Sequence, residues 1–119
     1  MAGKDIPDNI ANLIHVASVL GSFGYVFSHN RTHAIEFMKH NGECVYLKTT
    51  NKLSIVLDPR IASAGKPLGG IVGYESWNSN FSEFPTADRS GKKPEKFGIA
   101  FDLATPTNTV EVMNGREML

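Results

Sequence analysis

The stretch from residue 32 to residue 57 constrains the fold most, because apolar and polar residues alternate on both sides of a strong turn signal. Asn41-Gly42 lies between two alternating runs, and an Asn-Gly pair there is the strongest local signal for a β-hairpin. A second turn is predicted at 49–51, since Asn51 tolerates a left-handed backbone. The stretch therefore predicts three antiparallel strands joined by two tight turns.

The register of the first hairpin follows from keeping one face of the sheet apolar. A three-residue loop at 40–42, with Gly42 left-handed in a bulge, sets Ile35 opposite Leu47. A two-residue loop would set Ile35 opposite Lys48 and mix the two faces. Because register follows the hydrophobic pattern, we predict the three-residue loop.

The same logic at the second turn predicts Leu47 opposite Leu53 and Val45 opposite Ile55, and it makes Lys48 face Lys52. The sheet then has two faces of different character. The predicted inner face comprises Ile35, Phe37, Val45, Leu47, Leu53, Ile55 and Leu57. The predicted outer face comprises Glu36, Met38, Cys44, Tyr46, Lys48, Lys52, Ser54 and Val56.

Residues 5–20 have the spacing of an amphipathic helix, with Asp5 as the N-cap and Gly21 and Gly24 ending it. The predicted apolar stripe comprises Ile6, Ile10, Leu13, Ile14, Ala17 and Leu20, and Val16 and Val19 broaden it. This helix is expected to cover the sheet, with a contact to a partner as the alternative.

The flanking segments complete the sheet and add a second helix. Residues 25–28 predict a strand that turns at 29–31, although 31–40 also fits a helix. Residues 97–103 alternate as a final strand. Thr105-Pro106 predicts the start of a short helix over 106–114, ended by Asn114-Gly115, with a strand over 109–112 as the alternative.

The order of elements predicts an α+β fold of two layers. It has an antiparallel sheet of about five strands, with the N-terminal helix and the short C-terminal helix on one face. The 119 residues predict a single domain, 1–119, and 41% apolar with 20% charged residues is typical of a globular chain.

Net charge and cysteine content limit the kinds of binding partner and the cellular compartment that the sequence predicts. The formal net charge is zero, which does not indicate nucleic acid or an anionic membrane and leaves little repulsion between copies. Cys44 is the single cysteine, so no intrachain disulfide is expected. The chain has no apolar run of the ~20 residues that a membrane helix needs and no signal-peptide pattern, which predicts a cytoplasmic protein.

Residues 74–96 form the longest predicted connection and combine aromatic with basic residues, as a loop that binds bases or anions would. The alternative is a loop whose aromatic residues cover the core while its lysines stay in solvent. The candidate binding residues in this segment are Tyr74, Trp77, Phe81, Arg89, Lys92 and Lys93.

The outer face of the predicted sheet supplies a second set of candidates, Tyr46, Lys48 and Lys52. Three roles are open for it: a solvated face with edge lysines, a surface for anions or nucleic acid, or a contact between copies.

Metal and catalytic sites are not expected. His29 and His33, and likewise His40 and Cys44, are four residues apart, but in strands these pairs span turns and no paired cysteine motif supports them. The acidic residues show no spacing typical of acid–base pairs, and no cofactor is predicted.

The sequence therefore favours a small binding or interaction domain that self-associates and is not an enzyme. One alternative is a nucleic-acid-binding module that uses the aromatic and basic segment 77–96. Another is a small-molecule binder or enzyme, for small anionic ligands among others, with a pocket between the sheet and the long connection.

Overall fold

A computed structural model of the chain describes residues 8–31, 33–48, 52–88, 91 and 93–119. Two helices and nine strands follow one another in these residues. They are α1 (Asp8–Ser22), β1 (Val26–Arg31), β2 (Ala34–Met38), β3 (Cys44–Lys48), β4 (Ser54–Leu57), β5 (Pro67–Leu68), β6 (Ile71–Val72), β7 (Tyr74–Trp77), β8 (Thr86–Ala87), β9 (Glu95–Asp102) and α2 (Asn108–Glu117). The fold is α+β with an antiparallel sheet, as predicted.

The main sheet has the strand order β1-β2-β3-β4-β9-β7, and β8 pairs with β9 beyond the end of β7. Strands β5 and β6 form a separate small hairpin. The prediction that 74–96 is a single connection is wrong, because both β7 and β8 pair with β9. β7 was missed because four residues with mixed polarity give no clear alternation. The edges of the sheet are therefore β1 and β7.

The first hairpin has the predicted register, with Ile35 opposite Leu47 and Gly42 at a φ of 91°. In the second hairpin Leu47 lies opposite Ile55, so the prediction of Leu47 opposite Leu53 is wrong by two residues. A slip of two keeps every side chain on its face, so the apolar pattern could not detect it. The turn predicted at 49–51 lies outside the described residues.

This correction also separates the two lysines of the outer face. Lys48 lies opposite Ser54 instead of Lys52. The pairing therefore puts a small hydroxyl beside the Lys48 side chain, and it avoids the like-charge pair that the predicted register implied.

Strand β1 continues through the residues predicted to turn, 29–31, and a bulge interrupts its pairing with β2 between Phe27 and His29. His33, with a φ of 63°, lies in the actual turn. The alternative helix over 31–40 is excluded by β2. The polar residues of β1 made a turn plausible, but their partner is an acidic residue on the neighbouring strand.

The buried face of helix α1 overlaps the predicted stripe at Leu13, Ala17 and Leu20, but it is rotated toward Val16. Val16 and Leu20 are fully buried, whereas Ile14 is 59% exposed. Apolar residues occur on more than one side of this helix, so periodicity alone did not decide which side meets the sheet. The predicted N-cap Asp5 lies outside the described residues, and the helix continues through Gly21 to Ser22.

Helix α2 begins and ends later than predicted, and it excludes the alternative strand over 109–112. Its N-cap is Thr107 and not the predicted Thr105. The backbone N–H of Thr105 donates to Asn108 Oδ1 at 2.9 Å. Gly115 stays helical, since it packs so closely that a Cβ there would lie 3.2 Å from Leu68 Cβ. Neither helix in the described ranges is long and apolar enough to span a membrane.

Apolar side chains are buried on both faces of the sheet. The inner-face core packs against both helices and includes Val16, Leu20, Phe37, Val45, Leu47, Ile55, Leu57, Ile99, Phe101, Val112 and Met113. The outer face is partly covered by residues 78–85, which we call the covering segment. Phe81 and Phe84 of this segment pack with Ala34, Cys44, Tyr46, Val56 and Ala100. Gly98 permits this contact, because a Cβ there would lie 2.8 Å from the Phe84 ring.

Candidate functional site

Polar side chains on the outer face converge on two carboxylates. The first is Glu36, whose side chain is 1% exposed. The hydroxyl groups of Tyr46, Ser28 and Ser82 donate to it at 2.7, 2.9 and 3.2 Å. His29 Nδ1 lies at 3.0 Å and Arg31 Nη2 at 3.6 Å. We call these six residues the sealed cluster.

The sealed cluster keeps Glu36 charged. Burial by itself would raise the pKa of Glu36, but hydrogen bonds from Tyr46, His29, Ser28 and Ser82 outweigh it and lower the pKa to about 2. Strands β1 and β3 and the covering segment supply these partners, so the carboxylate on β2 holds them together.

The sealed cluster does not have the geometry of a nucleophile activated by histidine. Ser28 Oγ lies 2.8 Å from His29 Nδ1, and Glu36 Oε2 lies 3.0 Å from the same nitrogen. A relay of serine, histidine and acid needs its two partners on opposite ring nitrogens. We therefore assign the cluster a structural role.

Two predicted binding residues, Tyr46 and Phe81, are fully buried. The Tyr46 hydroxyl accepts the backbone N–H of Glu83 at 3.0 Å, and its ring lies 5.2 Å from Phe81 and 4.9 Å from Phe84 between centroids. These residues attach the covering segment to the sheet and offer no surface to a ligand.

Cys44 is buried beside the same aromatic residues. Burial, reinforced by nearby carboxylates of which Glu36 is the foremost, raises the pKa of its thiol to about 12. A thiol with such a pKa is a poor nucleophile and a poor metal ligand at neutral pH.

The second carboxylate, Asp102, belongs to a group that is open to solvent. It accepts the Ser54 hydroxyl at 2.6 Å and the Tyr74 hydroxyl at 2.7 Å, and Lys52 Nζ lies at 3.5 Å. Its side chain is 32% exposed. Together with Lys48 and Ser76, these residues form what we call the open cluster.

Lys48 connects the two sides of the open cluster. Its Nζ donates to Ser76 Oγ at 3.3 Å and lies 5.8 Å from the centre of the Tyr74 ring. β3 and β7 are separated by β4 and β9, so a contact between their side chains shows that the outer face is concave here. The floor beneath Lys48 is apolar, since Val56 and Ala100 are fully buried.

The charges of the open cluster are set by its own members. Burial would raise the pKa of Asp102, but hydrogen bonds from Ser54 and Tyr74 and the ammonium group of Lys52 lower it. The pKa of Tyr74 is raised by burial and by its hydrogen bond to Asp102. At neutral pH Asp102 is therefore a carboxylate and the Tyr74 hydroxyl is neutral.

An apolar surface lies at the opposite edge of the sheet. Val26 and Phe27 on β1 are 65% and 61% exposed. Phe27 also lines a groove of about 290 Å³, together with Leu13, Ile14, Ala17, Asn30, Ile35, Phe37 and Leu47. We call the β1 edge and this groove the β1 surface.

The structure separates the remaining predicted binding residues. Lys48, Lys52 and Tyr74 meet in the open cluster. Trp77 belongs to the inner face and stacks on Phe97 at 4.7 Å between centroids. Lys93 is exposed, while Arg89 and Lys92 lie outside the described residues.

Sequence reasoning missed Ser76, Asp102 and Phe27 as members of candidate surfaces. Asp102 shares the outer face with Ser54 through the pairing of β4 with β9, which no local pattern reveals. The sequence could have indicated Phe27, because it is an aromatic residue in a predicted strand without lysine or proline. Within the part of the chain that the structure describes, no three His, Cys, Asp or Glu side chains form a metal-binding group.

Comparison of the chain with models of protein families, with curated proteins and with solved structures finds no match.

Proposed function

We propose that this chain is a non-catalytic interaction domain that pairs with a second copy of itself through the β1 surface. The observation that carries the proposal is an exposed apolar edge strand that continues into an apolar groove. An unpaired strand edge offers main-chain hydrogen bonds, and the neighbouring groove supplies the apolar area that makes such pairing stable.

Of the two edges, β1 is the better suited to pairing. It has six residues with neither lysine nor proline, the residues that usually protect an edge. β7 has four residues, and its exposed Glu75 would approach the same residue of a second copy in a symmetric pair. The β1 edge is thus long enough for pairing and free of like charges that oppose it.

A second copy fits the β1 surface because two antiparallel β1 strands place equivalent residues on the same side of a joined sheet. Phe27 and Ile14 of each copy then face the groove of the other, which gives a closed, symmetric dimer. The only formally charged residue of β1, Arg31, is directed to Glu36 within its own chain. The zero net charge adds no repulsion.

The bulge in β1 makes side-chain burial essential to this contact. It interrupts regular pairing between Phe27 and His29, so the main chain alone offers few hydrogen bonds. Phe27 is therefore the residue whose replacement should weaken the dimer most.

The test is the mass of the full chain in solution. Size-exclusion chromatography with light scattering should give twice the chain mass of 13.0 kDa at micromolar concentration, and Phe27→Asp should give a single chain mass. Val72→Asp is the matched control, because Val72 is equally exposed at 59% but lies on β6, away from this edge.

A monomeric wild-type chain up to millimolar concentration would contradict the proposal. So would dimers that Phe27→Asp and Val72→Asp affect equally. Thermal unfolding of both variants, followed by circular dichroism, identifies any loss of mass that comes from unfolding.

The buried, unpaired thiol of Cys44 supports a cytoplasmic location for this domain, because the fold depends on no disulfide. Localisation of the tagged full chain in cell fractions tests this part of the proposal.

A further inference from the structure

We propose that the open cluster binds the oxyanion group, carboxylate or phosphate, of a small molecule. The anion would lie against Lys48 Nζ and Ser76 Oγ, and the remainder of the molecule would lie along the exposed face of Tyr74. This role is independent of pairing, because the open cluster lies on the outer face of the sheet, whereas the groove of the β1 surface is lined by inner-face residues such as Phe37 and Leu47.

The ammonium group of Lys48 is the anchor of this site. It is half-buried, and among the described residues no carboxylate lies within ion-pair distance of it. Its single hydrogen bond is a long one to a neutral hydroxyl, and its distance from the Tyr74 ring is near the limit of a cation–π contact. A charge-assisted hydrogen bond to an oxyanion would be shorter and stronger than either contact.

The neighbours of Lys48 complete the site. Ser76 accepts from Lys48, and none of the described hydrogen bonds uses its own hydrogen, which can be donated to an anion. Tyr74 directs its hydroxyl to Asp102 and leaves 39% of its surface exposed for the rest of the ligand. Lys52 offsets the charge of Asp102, so the carboxylate does not exclude an anion from the cluster.

The arrangement of the cations favours a small molecule over a nucleic acid. A nucleic-acid backbone needs a row of cations, each available to a phosphate group. In the open cluster only Lys48 is available, because Lys52 is paired with Asp102. The concave floor also limits the site to a compact anion.

The experiment is a titration of the full chain with inorganic phosphate and, separately, with acetate, followed by ¹H–¹⁵N NMR at constant ionic strength. The backbone signals of Lys48, Tyr74 and Ser76 should shift together and saturate with at least one anion. Binding of acetate alone would identify a carboxylate ligand, and binding of phosphate alone would identify a phosphorylated one. Binding of both would indicate a general oxyanion site.

Lys48→Met should weaken binding about tenfold or more, since it removes the charge and keeps an unbranched side chain of similar length. Lys48→Arg keeps the charge and should stay within a few fold of wild type. Lys93→Met is the matched control, because it removes an exposed lysine outside the cluster and should change nothing.

Three results would overturn the proposal: no saturable shift with either anion, equal binding by Lys48→Met and wild type, or shifts spread over all lysines. If the chain retards a short oligonucleotide in a gel but does not bind phosphate, the open cluster is part of a nucleic-acid surface and the proposal is likewise overturned. Melting curves show whether each variant is still folded. Light scattering shows whether the dimer is intact, so a failure of anion binding is distinguished from a failure of pairing.

Discussion

Glu36 and Asp102 lie on the same face of one sheet and have nearly the same partners. Each accepts hydrogen bonds from a tyrosine and from serine, and each lies near a cation. They differ in what lies above them. The covering segment contributes Ser82 to Glu36, whose side chain is 1% exposed, whereas the side chain of Asp102 is 32% exposed.

This difference shows that the chemistry of a polar cluster does not decide its role. In the sealed cluster Glu36 already has five partners, so its charge serves to fix strands and covering segment in one arrangement. In the open cluster Ser54 and Ser76 are buried, but Asp102, Tyr74 and Lys48 are at least partly exposed, and Lys48 has only weak partners. Access, and not residue type, makes the open cluster the candidate for binding.

The largest expected difference between the clusters is the loss in the free energy of unfolding when the carboxylate is removed. Glu36→Ala should lower the free energy of unfolding by about 4 kcal/mol, because buried hydroxyl groups and Arg31 lose their partner. Asp102→Ala should cost about 1 kcal/mol, since water can replace the carboxylate there. Urea denaturation at neutral pH measures both, and equal losses would contradict the distinction between sealed and open.

A second effect of similar origin should appear in acid. The pKa of Glu36 falls from an ordinary value of 4.5 to about 2 in the folded chain. A lowered pKa gives stability that is present above pH 4.5 and is lost as the pH falls toward 2, here about 3 kcal/mol.

Glu36→Gln removes this titration, so its free energy of unfolding should fall less between pH 4.5 and 2 than that of wild type. Asp102 also has a lowered pKa and contributes to the decline in both chains, so the difference between the two curves isolates Glu36. Parallel curves from urea denaturation across this range would show that Glu36 is not held in its charged form.

The smallest expected difference between the two clusters follows from removal of the tyrosine hydroxyl of each. Tyr46→Phe should cost about 2 kcal/mol, because Glu36 and the backbone N–H of Glu83 both lose a buried partner. Tyr74→Phe should cost no more than about 0.5 kcal/mol, because water can reach Asp102. Thermal and urea unfolding give both values, and an equal cost would mean that the covering segment does not seal its cluster.

Much of the fold could be predicted from local patterns. The Asn41-Gly42 turn and the alternation around it gave three strands, their faces and one register, because a slip of one residue would bury Lys48 in the core. The second register was wrong because a slip of two leaves the faces unchanged. The buried face of α1 was predicted only in part, because that helix is apolar on more than one side and Ile10 and Ile14 of the predicted stripe are exposed.

The candidate site was predicted only in part. The structure brings Lys48, Lys52 and Tyr74 together in the open cluster, and their binding role stays a proposal. Tyr46 was predicted from the outer face of the sheet and Phe81 from the aromatic and basic connection, but both are buried, since aromatic residues can cover a core as well as contact a ligand.

The sequence by itself determined the α+β class, the strands of the central meander and their inner face, because these depend on spacing along the chain. Tertiary structure alone decided that residues 78–85 cover one half of the outer face, that β7 joins the sheet, and that Asp102 meets Tyr74 and Lys52. These contacts join residues far apart in sequence, and their energies depend on solvent exclusion, which no local pattern encodes.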